Sequence, residues 1–234
     1  MLSDDLLELQ RFDSTIDQLT FRRANLPERT AAQEASGALA RTARHIAELI
    51  ARQGALTESI EKAELLGSEL TTQRERLQAQ LRTVTSPREA DALTHELDML
   101  AARRDELDDA ELASLEEQAQ VVDDLTSAHR AEIELAAGSE RATADLAAAE
   151  AAIDQQLADL TVQRADAVTR VEGGALTDYE ARRARHGGIA VATLDGRRCS
   201  GCHLDLSTFE LDAVKSTPAG EYTDCPQCGR MLIP

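Results

Sequence analysis

Aromatic side chains are nearly absent from this chain of 234 residues, which holds three Phe, two Tyr and no Trp. Aromatics supply much of the buried area of ordinary cores, so a hydrophobic content of 42% does not here signal a large packed interior. That content is mostly Ala and Leu, and with 29% charged residues and few β-branched ones it points to long helices. No apolar run approaches 18 residues, which excludes a membrane-spanning helix. The opening MLSDDLLELQ is acidic and lacks a basic n-region, so no signal peptide is expected and a cytoplasmic location follows. Positive charge is also short: the formal net charge is −18, which argues against broad attraction to nucleic acid or to anionic membranes while leaving room for a local basic patch. Cysteine is limited to four residues, all within the last 36 positions. In a reducing compartment such clustered thiols are metal ligands rather than a disulfide framework.

What is present is periodicity. From Leu39 a 3-4 spacing runs through Thr42, Ile46, Leu49, Gln53, Leu56, Ile60, Ala63, Gly67, Leu70, Arg74, Leu77, Leu81 and Val84, and ten of those fourteen positions are apolar. A sustained 3.5-residue repeat keeps one stripe facing a partner helix and implies a left-handed coiled coil. Leu2, Leu6, Leu9, Phe12, Ile16 and Leu19 continue the stripe upstream, and Pro27 should kink or restart the helix near 25–28. A second series passes through Leu93, Leu97, Leu100, Leu107, Val121, Leu125, Ala128, Leu135, Leu146, Ile153 and Leu160, with its phase blurred between Glu111 and Gln118. Between the two series Ser86 is a candidate N-cap, Pro87 suits the first helical position and Glu89 completes a capping box. Nearly equal arms on either side of a tip near 85–87 predict an antiparallel coiled-coil hairpin over residues 1–170, reaching roughly 125 Å at 1.5 Å per residue. In simple register the numbers of facing residues would total about 171. Gly54, Gly67 and Gly138 are read as bending points, or as drift tolerated by a long helix.

Residues 171–234 form a different module. Cys199, Cys202, Cys225 and Cys228 make a C-x2-C-x22-C-x2-C array, the ribbon spacing for tetrahedral zinc. Two thiolates three positions apart clasp one ion only where the chain turns tightly, and Ser200-Gly201, Pro226-Gln227 and Gly229 suit such turns. Four thiolates leave no coordination site for water or substrate, so one structural Zn²⁺ is expected. The core candidates Ile189, Val191, Leu194, Leu204, Leu206, Phe209, Leu211, Val214, Leu232 and Ile233 are few for such a module. Metal binding, worth roughly 10 to 16 kcal/mol, would supply folding free energy. A redox dithiol fits poorly, since thioredoxin-type chemistry uses one Cys-x-x-Cys. His203 could replace a thiolate or stand as an exposed neighbour. A zinc deaminase is disfavoured because Asp replaces the acid–base Glu and the fourth Cys leaves no water site. Ile189 to Leu194, a turn at Asp195-Gly196 and a return into Cys199 read as a hairpin, with YTDC and RMLIP supplying further short strands. The fold class expected is mainly α: a long antiparallel coiled-coil hairpin followed by a small C-terminal zinc ribbon.

The segments LTDYEARRARHGGIAVATLDGRRCSGCHLDL and CPQCGRMLIP, and the SPREADALTHEL tip, resemble those of bacterial C4-type zinc-ribbon proteins with an N-terminal coiled-coil hairpin. The specific likeness covers about a quarter of the chain. It implies a non-enzymatic adaptor, since some members are implicated in flagellar gene expression through an alternative sigma factor and messenger RNA.

Charge divides unevenly, with 18 basic and 34 acidic residues in 1–170 against 7 and 9 in 171–234. Arg182, Arg183, Arg185, Arg197 and Arg198 gather between the hairpin base and the first Cys pair, with His186 beside them. They read either as a phosphate-contacting surface, since Arg forks onto phosphate oxygens, or as a solvated face that balances the acidic arms. Three functions follow: an adaptor whose ribbon contacts RNA, DNA or a transcription protein while the coiled coil binds a protein partner; a spacer without nucleic-acid binding; or a hairpin factor acting on RNA polymerase through Glu89 and Asp91. No catalytic constellation, small-molecule substrate or membrane partner is expected.

Overall fold

The computed structural model describes residues 1–234. The chain is mainly helical and its elements follow in the order α1 (Leu2–Ala24), α2 (Pro27–Leu81), α3 (Pro87–Arg170), α4 (Gly173–Arg185), β1 (Val191–Asp195), β2 (Arg198–Cys199), α5 (Thr208–Lys215), β3 (Thr223–Asp224) and β4 (Met231–Ile233). No helix is long and apolar enough to cross a membrane. Two compact units divide it: Ala32–Ala142, and Met1–Ala31 with Thr143–Pro234.

In residues 32–142, α2 and α3 run antiparallel. Arg52 forks onto Glu117 with both bonds at 2.6 Å, and Gln118 donates to Thr57 at 3.0 Å. From Leu39 to Val84 the shielded side chains of the first arm are those of the expected 3-4 stripe, with Arg74 alone exposed. The stripe on α3 is not blurred. It passes through Arg104, Glu111, Ser114 and Gln118, all half-buried, so the helical phase is kept by polar residues. Long side chains such as those of Arg104, Glu111 and Gln118 can lay their aliphatic stems along a seam with the polar ends at its rim, and Ser114 is small. Gly67 has a packing reason beyond bending: the Arg104 guanidinium lies across it, and its Cζ would stand 2.7 Å from a Cβ added there. Around Gly54 and Gly138 such an atom would meet open space. At the turn, Ser86 accepts from the backbone N–H of Ala90 through its carbonyl at 3.0 Å, and Pro87 opens α3.

In the other unit, Leu26 is buried and Pro27, which has no N–H to donate, starts α2. Arg23 pairs with Asp154, Asp13 with Arg164 and, on α2, Arg29 with Glu150, so partners several residues beyond those of simple register lie on both sides of the break. The four strands lie in the order β2-β1-β4-β3, with β1 and β4 parallel and both outer pairs antiparallel. Alternation along the paired central strands separates two cores. Val191 and Met231 face Leu6, Leu9, Ala167, Val171 and Tyr179, whereas Ala192 and Leu232 join Cys199, Cys225, Leu206 and Val214.

Several expectations for this region change. The first strand begins at Val191 rather than Ile189, because the N–H groups of Ala190 and Val191 are taken by Gln10 Oε1. Asp195 pairs with Arg198, which moves the turn to Gly196-Arg197, with Gly196 at φ +63°. Ile189, Leu204 and Phe209 are exposed rather than in the core. Phe209 is carried outward on α5, whose capping box joins Ser207 and Glu210 through both reciprocal bonds.

Candidate metal centre and its arginine neck

Each Cys pair sits on a tight turn, and the two turns are copies of one another. Cys199 N–H donates to Leu204 O at 3.1 Å and His203 N–H donates back to Cys199 O at 2.8 Å. Cys225 N–H donates to Arg230 O at 2.8 Å, and Gly229 N–H to Cys225 O at 2.7 Å. The bridges Arg198↔Asp205 and Asp224↔Met231 close the two turns at equivalent positions. The residue after the second Cys takes a left-handed conformation in both, His203 at φ 62° and Gly229 at φ 74°. Glycine accepts that conformation freely and histidine does so at a cost. His203 is exposed and stands outside the sulfur cluster, so geometry rather than ligation occupies it.

The four sulfurs lie within 4.8 Å of one another. A tetrahedral ion with bonds of about 2.3 Å holds its sulfurs slightly closer than that, so the donor set fits zinc with only small adjustment. Cys199 and Cys225 are buried, and Cys202 and Cys228 are half-buried. Burial pushes the Cys225 thiol up to about 12 and raises Cys202 as well, against backbone N–H groups that favour their thiolates. Burial acts upward on Cys228 too, but the Arg230 N–H, the Arg230 side chain and the neighbouring thiols outweigh it and hold Cys228 low. Thiols crowded in this way give up their protons together only to a cation. The first turn also needs its glycine: a Cβ at Gly201 would stand 2.6 Å from Arg230 Cδ and 3.0 Å from Ala192 Cβ.

The arginines expected at the neck do not share one fate. Arg182 donates to Asp224 at 2.6 Å and to Gly229 O at 2.8 Å, which ties α4 to the second turn. Arg183 forks onto Asp17 with bonds of 2.8 Å and approaches Asp13 at 3.4 Å. Arg197 donates twice to Leu206 O, at 2.8 and 3.2 Å, and Arg198 to Asp205 at 3.2 Å. Arg185 alone is exposed and unpaired. His186 is held below its ordinary range by burial and then by Arg230, Arg185 and Arg182, so positive potential persists around it.

Four residues outside the expected set organise the centre. Arg230 donates to Ile189 O at 2.9 Å and to His186 O at 3.3 Å, crossing the first turn. From the opposite end of the chain, Gln10 donates to Gly188 O at 2.8 Å as well as accepting from β1. Asp13, 2% exposed, accepts from Tyr179 Oη and Arg164 Nε, both at 2.6 Å. Burial, then the Asp13 carboxylate, drives the Tyr179 hydroxyl far above its usual range, so it serves as a fixed donor. A signal was available: Gln10 and Asp13 lie beside Leu6 and Leu9 on one helical face, where polar residues interrupt an apolar stripe.

Comparison with known proteins agrees with this anatomy. The family model described as CT398-like coiled coil hairpin domain matches residues 9–187, and that of the C4-type zinc ribbon domain matches residues 198–232. The Mycobacterium tuberculosis protein Rv2229c is 28% identical over 238 residues, covering 97% of this chain and 93% of its own. Among solved structures, a Mycobacterium smegmatis protein aligns with a TM-score of 0.81 at 21% identity, covering 99% of this chain and 97% of that one. CT398 from Chlamydia trachomatis aligns at 0.82 and 20% identity, covering 99% and 98%. At these identities the structural likeness shows the fold.

Proposed function

The chain belongs to the CT398-like coiled-coil hairpin family and carries a C4-type zinc ribbon with one structural zinc, and on that premise we propose that it is a non-enzymatic cytoplasmic adaptor. Residues 1–170 form its hairpin and residues 171–234 its ribbon. Cys199, Cys202, Cys225 and Cys228 are the ligands. The acidic coiled coil binds a protein partner, and the ribbon meets a transcription-related protein or nucleic acid; neither a membrane nor a small-molecule substrate takes part.

The observation that carries this reading is the closed sulfur cluster: four thiolates complete the zinc coordination and leave no position for a reacting water. Zinc there orders a surface. The zinc-loaded chain, carrying a photocrosslinker on the exposed faces of α2 and α3, should capture a discrete protein in native cytoplasm. Absence of any crosslink from either arm contradicts the adaptor.

Nucleic-acid binding through Arg182, Arg183, Arg185, Arg197 and Arg198 is a second reading. It is supported by the unpaired Arg185 and by the arginine field around His186. The ion pairs of Arg182, Arg183 and Arg198, and the backbone bonds of Arg197, favour the alternative, a spacer without nucleic-acid binding. Because Arg182 and Arg183 brace the ribbon, the discriminating variant is Arg185→Glu with Arg198→Glu. Salt-sensitive RNA or DNA binding lost in that variant supports the second reading, and no binding by the unaltered protein at low salt removes it.

A further inference from the structure

The two buried clusters of the unit that holds the cysteines share their central strands. On β1 and β4, Val191 and Met231 belong to the cluster at the hairpin base, while their chain neighbours Ala192 and Leu232 belong to the cluster of Cys199 and Cys225. Met231 lies three residues beyond Cys228, and Cys199 pairs with Leu194 on β1. The cluster at the base takes Leu6 and Leu9 from α1, both 0% exposed. Polar bonds that fix α1 end on the same strands and their approach: Gln10 meets Gly188 O and the N–H groups of Ala190 and Val191. Nearer the N-terminus, Ser3 N–H donates to Gly220 O at 3.0 Å, and Met1 Sδ would stand 3.0 Å from a Cβ added at Gly220. Ties from the first half of α1 to α3 are of another kind. Besides Ala167 and Val171, which join the same cluster, they are the exposed ion pairs of Arg170 with Asp5 and Glu8. Such pairs contribute about 0 to 1 kcal/mol each, whereas a buried polar group stripped of its partner costs about 1 to 3 kcal/mol.

We propose that zinc occupancy and the docking of the first half of α1 are linked, so that this helix latches onto the ribbon while zinc is held and loosens when zinc is lost. The linkage goes beyond the adaptor reading and rests on the four-cysteine centre. Its route is short. Without metal the cluster around the cysteines is too small to keep β1 and β4 paired. Ala190 and Val191 then leave Gln10, and Leu6 and Leu9 lose the strand side of their cluster. The second half of α1 stays on α3 through Arg164 with Asp13 and Arg23 with Asp154. Coupling between two sites is reciprocal, so whatever loosens α1 weakens zinc binding by the same factor. Gln10, which bonds to no cysteine, therefore tunes zinc affinity from the opposite end of the chain.

The test titrates the zinc-loaded full chain with a chromophoric chelator and compares Gln10→Ala, Leu9→Ala and Leu56→Ala, the last a buried residue of the separate 32–142 unit. Both α1 variants should weaken zinc binding by about fivefold or more, the lower end of ordinary coupling between sites. Leu56→Ala should leave it unchanged. Leu9→Ala keeps the hydrogen bonds of Gln10, so the comparison survives a Gln10 variant that fails to fold. In the unaltered chain, chelation should speed amide exchange in residues 3–12 well ahead of residues 15–24. Three results overturn the proposal: unchanged zinc affinity in either α1 variant that folds, exchange in residues 3–12 unmoved by chelation, or Leu56→Ala weakening zinc as much as the α1 variants do. Each of these leaves the metal centre and the adaptor reading standing. An unaltered chain that takes up no zinc removes the proposal and the centre together.

Discussion

Residues 32–142 bury one line of side chains, the 3-4 stripe of each helix, while residues 1–31 with 143–234 bury two clusters, one of them drawn from both ends of the chain. The first arrangement is periodic, so each position depends on neighbours three and four residues away. Glu111 or Gln118 can occupy the seam with its end at the rim, and the helix keeps its phase. In the second arrangement few residues can be replaced by a neighbour doing the same work: Tyr179, Asp13 and Gln10 each have partners more than 150 positions away. Distributed burial tolerates local exceptions, whereas a small core braced by buried polar bonds and a metal does not.

Zinc removal should separate the two regions most. Chelation should unfold β1 to β4 and α5, because it withdraws roughly 10 to 16 kcal/mol of binding free energy. Residues 32–142 should keep their helices, so hydrogen exchange should rise sharply in 190–234 and little in α2. Equal loss in both would break the comparison.

Next in size is Asp13→Ala, which strands Tyr179 Oη, Arg164 and Arg183 around a missing carboxylate. Removing one partner from a buried charged network costs about 3 to 5 kcal/mol. Denaturant unfolding monitored at Tyr179 should register it, with Gly67 and its surroundings unaffected.

Smaller effects sharpen the contrast. Gly54→Ala should stabilise α2 by about 1 kcal/mol, since nothing opposes the added methyl. Gly67→Ala should gain less, because Arg104 must move. His203→Gly, which makes the first turn match the second at Gly229, should gain about 1 kcal/mol or less in thermal denaturation by relieving the left-handed histidine. The smallest expected effect is on His186, whose NMR titration midpoint should lie below 6.5 and rise in Arg230→Gln. With the folded value depressed, the unfolded chain takes up the proton first, so the neutral imidazole's share of stability is present above about pH 6.5 and lost as pH falls below it.

The same contrast explains what was legible. The α2 stripe and the four ligand candidates follow from local spacing, which sequence displays directly. Phe209, Leu204 and Ile189 looked like core residues by type, but exposure depends on where α5 and β1 dock, and no local pattern encodes that. The capping box of Ser207 and Glu210 marks where α5 starts but not which of its faces is buried. The bracing by Gln10 and Asp13, and the register set by Arg23 and Arg29 on Asp154 and Glu150, were hidden by sequence distance.

Zinc K-edge X-ray absorption on the purified, untagged chain tests the centre most directly. The account predicts one zinc per chain surrounded by four sulfurs at about 2.3 Å. A nitrogen or oxygen in the first coordination sphere, or a chain that purifies fully folded without metal, would contradict it.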